Sequence, residues 1–385
     1  MVTYPSDWTE SKLLDHVNLV QGLTYIPENV KPSGTLVLRS SNIQNGTLSL
    51  LDNVYVNVNV SEEKMVRPGD ILVCVRNGSS ALIGKSCILP MLSNTTFGAF
   101  MSVLRGDTTG FFAKLFESDI VQEQVRGRSN ATINQITKKD FQSIEVTVPS
   151  EPEQKDIAQT LGCFNAYIAD LTELIEKKCG IRDGAISDLL SATTRLAGFD
   201  KPWKETTLGK EYTVIMGQSP NSASYNASGN GVPLVQGNAD IENRVTAPKR
   251  YTSMPTKICE NGDTILAVRA PVGTASRANQ RVCLGRGVCA ISGMHKDFIY
   301  YLMRYYESAW EAIEQGSTFT AVSGKEVRNF EIKIPEEGEE QDAISRILIA
   351  MDEEIEALEI ERDKMIQIRK GAMDDLLTGH VRLSV

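Results

Sequence analysis

The residues best suited to phosphate chemistry lie between Gly78 and Ser86, where the chain reads Gly-Ser-Ser-Ala-Leu-Ile-Gly-Lys-Ser. A phosphate-binding loop has four residues between its two glycines, whereas this segment has five. The histidines, His16, His295 and His380, lie far apart and lack the spacing of metal ligands. The motifs of serine hydrolases, zinc proteases and dinucleotide-binding folds are absent, as is the paired-proline motif of amino-methyltransferases. We therefore predict a chain that is not an enzyme by itself and that holds no cofactor or metal.

The charge of the chain is distributed unevenly. The 385 residues carry a net charge of −9 with a pI near 5.1, which by itself argues against nucleic acid as a partner. However, residues 150–199 and 336–385 carry −3 and −8, whereas residues 1–149 and 200–335 carry −1 and +3. The acidity therefore belongs to two segments and leaves the rest of the chain close to neutral.

Basic residues cluster in stretches without acids. Residues 71–106, 124–139, 243–259 and 264–296 contain no Asp or Glu. Arginine and lysine are the side chains that contact DNA phosphates and guanine edges. Charge that only meets solvent is the alternative for any single residue, but acid-free windows in both halves favour DNA binding. The candidate DNA-binding residues are Arg76, Lys85, Arg105, Arg126, Arg128, Lys138, Lys249, Arg250, Arg269, Arg277, Arg281 and Arg286.

The sequence contains an internal repeat, and two of the acid-free windows precede each of its copies. Residues 153–196 and 340–383 align without a gap at an offset of 187, with 16 identities in 44 pairs. Matches at a fixed offset over such a length indicate a tandem duplication. Trp8 and Trp203 open the two halves, and Val75-Arg76 corresponds to Val268-Arg269.

Both copies of the repeat have the apolar spacing of a coiled-coil helix, with steps of four and three residues. The expected seam positions are Ile157, Leu161, Phe164, Ile168, Leu171 and Ile175 in the first copy, and Ile344, Leu348, Met351, Ile355 and Leu358 in the second. Short runs rich in β-branched residues, punctuated by Gly, Asn and Ser, precede each copy. We therefore predict an α+β protein with a mixed globular segment at residues 1–149, a helix at 150–199, a second globular segment at 200–335 and a helix at 336–385.

The sequence also suggests a compartment. The N-terminal residues lack the basic and apolar regions of a signal peptide, and no stretch of about 18 apolar residues would span a membrane. The seven cysteines contain no C-x-x-C pair. We expect a cytoplasmic protein without disulfides or membrane contact.

Taken together, these features resemble the specificity (S) subunit of Type I restriction–modification enzymes over essentially the whole chain. The first globular segment lacks the G-x-S-P loop of the family and has Gln21-Gly22-Leu23-Thr24-Tyr25 instead, which suggests a different subtype of recognition domain. The segments that carry the resemblance are the helix starts Glu153-Gln154 and Glu340-Gln341, the helix ends 187–190 and 373–379, Gly262-Asp263, and the loops 34–43 and 215–220.

The resemblance implies two target recognition domains, each reading one half of a split, asymmetric site in double-stranded DNA. It implies that the two helices form an antiparallel coiled coil, related by a pseudo-two-fold repeat, that sets the spacing between the domains. Two modification (methyltransferase) subunits would dock on the helices, and two restriction (translocase and nuclease) subunits would join them. S-adenosylmethionine, ATP and Mg²⁺ would then belong to those partner subunits.

Three alternatives remain open from the sequence. The first is a coiled-coil scaffold whose sheet domains bind peptides. The second is a part of a fused single-chain enzyme. The third is a stand-alone specificity protein without an active restriction partner. The missing methyltransferase and nuclease motifs disfavour the fused enzyme for this chain. A neighbouring gene for an amino-methyltransferase would favour the restriction–modification reading over the scaffold.

Overall fold

The computed structural model describes residues 3–128, 134–315 and 321–383. The chain divides into two compact units, Met1–Leu171 with Glu361–Val385, and Thr172–Ile360. Residues 132–149 and 318–335, which resemble each other in sequence, begin outside the described residues. The predicted segment boundaries stay predictions, because each long helix contributes to both units.

Short strands make up the framework of the first unit. They are β1 (Thr9–Lys12), β2 (Asn18–Gln21), β3 (Val30–Lys31), β4 (Thr35–Leu38), β5 (Ile43–Gln44), β6 (Thr47–Leu48), β7 (Val54–Val56), β8 (Ile71–Cys74), β9 (Ser86–Ile88), β10 (Thr95–Phe97), β11 (Met101–Arg105) and β12 (Glu145–Val148). One sheet has the order β2-β11-β8-β9 and is antiparallel, and another has the order β10-β4-β7-β3 with β10 parallel to β4. In addition, β1 pairs with β12 and β5 with β6.

Helices cover the antiparallel sheet of the first unit. They are α1 (Leu13–His16), α2 (Phe111–Glu117), α3 (Asp119–Arg128) and α4 (Lys138–Gln142). Helices α2 and α3 are separated at Ser118, where the backbone is extended. The hydroxyl of Ser118 donates to the Leu115 carbonyl at 2.6 Å, which competes with continuation of the helix. Phe111, Phe116 and Phe141 are fully buried in the core below.

The second unit repeats this plan with larger sheets. Its strands are β13 (Lys204–Thr207), β14 (Thr213–Met216), β15 (Tyr225–Asn226), β16 (Val232–Val235), β17 (Ile241–Glu242), β18 (Val245–Thr246), β19 (Arg250–Thr252), β20 (Ile258–Cys259), β21 (Thr264–Ala267), β22 (Ala275–Arg277), β23 (Val282–Leu284), β24 (Val288–Ser292) and β25 (Glu331–Ile334). The sheet orders are β14-β24-β21-β22-β18-β17 and β15-β19-β16-β23-β20, and β13 pairs with β25. The order β14-β24-β21 repeats β2-β11-β8 of the first unit.

Four shorter helices lie in the second unit, namely α6 (Leu208–Glu211), α7 (Lys296–Tyr305), α8 (Glu307–Gln315) and α9 (Gly324–Asn329). Helix α7 ends before Tyr306, and α8 begins at Glu307 directly after it. Trp310 of α8 is fully buried and stacks on Phe330, with ring centroids 3.9 Å apart.

Two long helices connect to both units, α5 (Glu151–Leu190) and α10 (Gly338–Thr378). They pack together as predicted. In the first unit the start of α5, at Ile157 and Leu161, shares a core with the end of α10, at Leu376 and Leu377. In the second unit the end of α5, at residues 186–190, shares a core with the start of α10. The pairing is therefore antiparallel.

The predicted seam positions face this helix–helix contact to different extents. Ile157, Leu161, Leu171, Ile175, Ile344, Leu348 and Ile355 are buried. Phe164, Ile168, Met351 and Leu358 are half-buried. Within the second unit, Arg182 and Lys178 of α5 form ion pairs with Asp352 and Glu354 of α10, at 3.1 and 2.6 Å. Apolar burial along the seam, flanked by opposite charges, is the usual stabilisation of such a pair.

Each start of a long helix is clamped by an arginine from beyond the end of the other long helix. In the second unit, Arg195 donates to both carboxylate oxygens of Glu340 at 2.8 and 3.1 Å, and Trp203 donates its indole N–H to the same carboxylate. In the first unit, Arg382 clamps Glu153, and its NH2 donates to the second carboxylate oxygen at 2.8 Å. The repeated Glu-Gln pair and the repeated arginine in the sequence therefore have a common structural cause.

The glutamines that follow have an equivalent role in both units. The side-chain amide of Gln154 donates to the Pro149 carbonyl at 3.0 Å, and that of Gln341 to the Pro335 carbonyl at 2.9 Å. Each bond fixes the angle between a strand that ends at a proline and the helix that follows. Among the described residues, no helix is both long and apolar enough to cross a membrane.

Candidate nucleic-acid interface

Arg76 lies just beyond the end of the central strand β8 in the first unit. Strands β8 and β11 pair with Cys74 opposite Met101, and the backbone N–H groups of Val75 and Arg76 both donate to the Phe100 carbonyl, at 3.0 and 3.1 Å. The Arg76 guanidinium carbon lies 5.2 Å from the centroid of the Phe100 ring. Phe100 is itself 57% exposed, so the pair presents a charged group and an apolar face to solvent.

A cleft of about 730 Å³ opens beside this pair, lined in part by Tyr25, Arg39, Ser40 and Phe100. The Asn77 side chain donates to the Ser40 hydroxyl at 3.1 Å. The Arg39 guanidinium forms an ion pair with Asp52 at 2.7 Å. The end of the central strand is therefore surrounded by polar side chains, some of which hydrogen-bond to one another.

Arg269 has the equivalent place in the second unit. Strands β21 and β24 pair with Ala267 opposite Val288, and the Val268 N–H donates to the Gly287 carbonyl at 2.9 Å. Beyond these pairs the partner strand turns away, and Arg269 forms a backbone bridge with Ala321 just as Arg76 does with Gln135 in the first unit. Arg286 lies in the turn that the Val288 N–H closes onto the Gly285 carbonyl at 3.3 Å. Both Arg269 and Arg286 are exposed.

Close backbone approaches hold both strand ends in place. A Cβ at Gly22 would lie 2.0 Å from the Gly98 carbonyl oxygen, and a Cβ at Gly217 would lie 2.0 Å from the Gly285 carbonyl oxygen. These glycines occupy equivalent positions, one residue beyond β2 and β14. The loops that carry Phe100 and Arg286 therefore rest directly on the neighbouring strand.

We expect Gly22→Ala to destabilise the first unit by about 1–3 kcal/mol, because the added methyl group forces the two backbones apart. Urea unfolding of the purified chain measures this loss. Gly78→Ala is the matched control, because a Cβ there meets no atom within 4 Å. Equal stability of the two variants would show that the strand end adapts without cost.

Three predicted DNA-binding arginines are committed to the fold. Arg105 is 13% exposed and donates to both carboxylate oxygens of Asp70, at 2.8 and 2.6 Å, as well as to backbone carbonyls. The guanidinium of Arg128 donates to the Ser143 hydroxyl and to backbone carbonyls. Arg277 pairs with Asp297 and lies over the Tyr300 ring. We therefore leave these arginines out of the proposed DNA contacts.

The other predicted residues are more accessible and more scattered. Lys85 is half-buried, whereas Arg126, Lys138, Lys249, Arg250 and Arg281 are exposed. Arg126, Lys249 and Arg281 have loose ion pairs with Asp119, Glu242 and Glu260, at 3.5, 3.3 and 3.4 Å. Exposed pairs of this kind contribute little to stability and are easily exchanged for phosphate.

Three buried thiols are not activated as nucleophiles. Burial raises the pKa of Cys87, Cys259 and Cys289 to about 12, so these groups stay protonated near neutral pH. Over the described ranges, no group of three or more His, Cys, Asp or Glu is placed to hold a metal ion.

The family model described as "Type I restriction modification DNA specificity domain" matches residues 5–178 and 200–366 of this chain. The chain belongs to this family. A putative type I restriction enzyme specificity subunit (MjaX) from Methanocaldococcus jannaschii is 27% identical, over 98% of this chain and 95% of that protein. The EcoKI specificity subunit of Escherichia coli K12 is 31% identical over 43% of this chain and 37% of its own length.

Solved structures support the fold of this family member. The crystal structure of a Type-I restriction-modification system S subunit from M. genitalium has a TM-score of 0.62 at 17% identity, covering 96% of each chain. A second structure, from a study of type I restriction-modification complex assembly, has a TM-score of 0.60 at 22% identity, covering 99% of this chain and 100% of the other. The TM-scores establish that the fold is shared, and at identities this low the comparison extends to the fold alone.

The residues predicted from the sequence include Arg76, Arg269 and Arg286 but not the residues around them. Phe100 was not selected, because a single aromatic residue gives no signal of its own in the sequence. The repeat did contain the useful clue, since Val75-Arg76 and Val268-Arg269 align within it. The structure shows that these aligned arginines have equivalent backbone contacts.

We expect Phe100→Ala to weaken DNA binding by the assembled complex about two- to five-fold, because Arg76 loses a cation–π contact worth about 0.5–1 kcal/mol. The free energy of unfolding should change little, since the ring is more than half exposed. Met91→Ala, which removes an 83% exposed side chain elsewhere in the unit, is the control. Unchanged affinity in a duplex titration would exclude Phe100 from the interface.

Proposed function

We propose that this chain is the DNA-recognition subunit of a Type I restriction–modification complex, and that each globular segment reads one half of a bipartite, asymmetric site. The observation that carries the proposal is the equivalent placement of Arg76 and Arg269 at the ends of central strands β8 and β21. The two segments share this backbone arrangement but differ in the side chains around it. Equivalent placement with different chemistry is suited to two different half-sites.

The proposed DNA contacts are the accessible members of the predicted set. Arg76, Arg269 and Arg286 lie at the strand ends and are suited to base edges in the major groove. Lys85, Arg126, Lys138, Lys249, Arg250 and Arg281 are suited to phosphates, which position the protein without reading sequence. Loss of a phosphate contact should weaken binding to all sequences alike, whereas loss of a base contact should relax specificity at one position.

The helix pair is proposed to set the spacing of the half-sites. Helices α5 and α10 have 40 and 41 residues, which corresponds to about 60 Å at 1.5 Å per residue. One turn of B-DNA is about 34–36 Å, so a spacer of unread bases between the half-sites is expected. The helical segments carry most of the negative charge, which disfavours their own contact with DNA.

The helices also offer apolar surface for partner subunits. Leu174 and Ile181 lie seven residues apart on α5 and are 39% and 51% exposed, and Ile366 and Ile368 on α10 are 39% and 43% exposed. We propose that two modification subunits dock on the helices and that two restriction subunits join the complex. S-adenosylmethionine, ATP and Mg²⁺ would be bound by those subunits, in the cytoplasm, and this chain would be non-catalytic.

Selection of duplexes from a random DNA library tests the proposal. The chain is co-purified with its modification subunit, and the bound fragments are sequenced. Two short specified blocks separated by an unspecified spacer of constant length support the proposal. A single continuous block, or no enrichment, contradicts it.

A further inference from the structure

The residue that follows a parallel-paired strand has an equivalent place in the two units. Strand β4 pairs with β10 and β16 pairs with β23, in both cases in parallel. At the end of β4 the Leu38 carbonyl accepts the Gly98 N–H at 2.9 Å. At the end of β16 the Val235 carbonyl accepts the Gly285 N–H at 2.7 Å. The residues directly after Leu38 and Val235 are therefore equivalent.

These two residues are Arg39 and Gln236. The Arg39 N–H donates to the side-chain oxygen of Asn42 at 2.9 Å. The Gln236 N–H donates to a carboxylate oxygen of Asp240 at 2.7 Å. The two backbones are therefore held alike, whereas the side chains differ in chemistry.

The Gln236 side chain is fixed by two contacts. Its Nε2 donates to the Tyr225 hydroxyl at 3.2 Å, and this hydroxyl donates to the Pro220 carbonyl at 3.1 Å. Gly285 also lies against the side chain, since a Cβ on Gly285 would lie 3.1 Å from the Gln236 Cγ. Gln236 is half-buried, so it remains partly open to solvent.

The number of available hydrogens decides which way the Gln236 amide points. A tyrosine hydroxyl has one hydrogen, and that of Tyr225 goes to the Pro220 carbonyl. The hydroxyl can therefore only accept from Gln236, so Nε2 and not Oε1 lies toward Tyr225. One N–H of Nε2 and the Oε1 acceptor are left. Among the residues that the structure describes, these two groups have no partner.

An amide with one free donor and one free acceptor matches adenine. In the major groove adenine presents its N7 acceptor beside its N6 donor, and a glutamine side chain can bind both. Guanine presents two acceptors there, which would leave Oε1 facing another acceptor. The two groups that Tyr225 leaves free on Gln236 therefore favour adenine over guanine.

The first unit has different chemistry at the equivalent position. The Arg39 side chain has donors but no acceptor, so it cannot receive the N6 hydrogens of adenine. Its guanidinium also pairs with Asp52 at 2.7 Å. The two units should therefore not specify the same base at this place.

We propose that Gln236 reads one adenine in the major groove and that Tyr225 is the positioning residue that orients its amide. The half-site of the second unit then contains one A·T pair specified by this side chain. This inference rests on the proposed function, because it assigns a base to one of the two recognition sites.

A comparison of methylation motifs tests the inference, with the modification subunit assembled on wild-type or Gln236→Ala chains. The variant should lose preference for adenine at one position of one half-site by about ten- to hundred-fold, with the other half-site unchanged. Gln280→Ala is the matched control and should leave the motif unchanged. Gln280 is exposed and precedes β23, so it lies at the opposite end of the β16–β23 pair from Gln236. Thermal unfolding verifies that each variant is folded.

A duplex with 7-deazaadenine at the relaxed position tests the contact directly. This base lacks the N7 acceptor, so it should weaken binding of the wild-type complex about two- to ten-fold. Binding of the Gln236→Ala complex should not respond to the change of base. Equal weakening of both complexes would contradict a contact between Gln236 and N7.

Two further variants separate base reading from packing. Gln236→Glu keeps the shape of the side chain but replaces its donor with an acceptor, so the preference should move from adenine to cytosine, whose N4 donates. This variant also serves if Gln236→Ala does not fold. Tyr225→Phe should weaken the adenine preference at the same position without changing the salt dependence of binding.

The outcomes distinguish this inference from the proposed function. If both Gln236 variants keep the wild-type motif, or if the relaxed position is a guanine, the inference is wrong while a bipartite wild-type motif leaves the proposed function intact. A wild-type motif that is not bipartite overturns the proposed function itself.

Discussion

The Arg195→Ala variant should lose about 3 kcal/mol of unfolding free energy, which is the lower end of the cost of breaking a buried ion pair. Glu340 is 1% exposed, so removing its partner leaves a carboxylate in the core. Among the described residues, the Trp203 indole N–H then remains as its side-chain donor. We choose the lower end because the Arg195 side chain is 28% exposed and already partly screened by water. Urea unfolding followed by circular dichroism measures the change.

A surface pair in the same unit provides the control for Arg195. Lys201 pairs with Glu337 at 2.8 Å but is 63% exposed, so Lys201→Ala should cost far less stability than Arg195→Ala. The double variant Arg195→Ala with Glu340→Gln should regain part of the lost stability, because it removes the unpaired charge. If Arg195→Ala lost no more unfolding free energy than Lys201→Ala, the buried Arg195–Glu340 pair would stabilise the fold no more than a surface pair does.

The Trp310→Ala variant should lose about 3–5 kcal/mol, the range for truncating a fully buried aromatic side chain. Trp310 stacks on Phe330 and also supports the loop after Arg269, since a Cβ on Gly273 would lie 2.2 Å from the Trp310 Cβ. We therefore expect the variant to lose recognition by the second unit together with stability. Calorimetry and the library selection described above measure the two effects.

Trp310→Phe refines this prediction. Among the described residues the Trp310 indole N–H has no hydrogen-bond partner, so phenylalanine removes no bond and leaves a smaller void than alanine does. Its loss should be well below that of Trp310→Ala. Equal losses for the two variants would mean that the indole has an essential contact beyond packing.

The long helices were predictable because their signals are redundant. A heptad pattern, a repeat at a fixed offset and matching Glu-Gln and Asp-Leu-Leu segments all indicate the same two elements. The seam at Leu161 and Leu348 follows directly from that periodicity. In the sequence, the Arg195–Glu340 contact shows only as a glutamate and an arginine that recur at equivalent positions of the two repeat copies. The sequence does not say which carboxylate an arginine meets.

The recognition site was predictable only in part, for a physical reason. Acid-free windows identify where positive charge is concentrated, but they do not separate an arginine bound to the fold from one that is free. Arg105 and Arg76 lie in the same window, yet Asp70, just outside it, binds the first and leaves the second exposed. The contact between Phe100 and Arg76 depends on strand register, which the sequence did not specify.

The net charge of the chain does not describe its globular segments. The chain has a net charge of −9, but the helical segments carry the acidity and the globular segments are close to neutral. Their local positive charge is concentrated at few positions, so we expect the isolated chain to bind DNA weakly. Much of the phosphate contact would then come from the partner subunits.

Two equivalent recognition sites on one chain are proposed to read two different half-sites. A genome-wide map of methylated adenines in cells that co-express this chain with its modification subunit tests it most directly. We expect one asymmetric motif of two specified blocks separated by an unread spacer of constant length. A continuous motif, or methylation that does not depend on this chain, would contradict it.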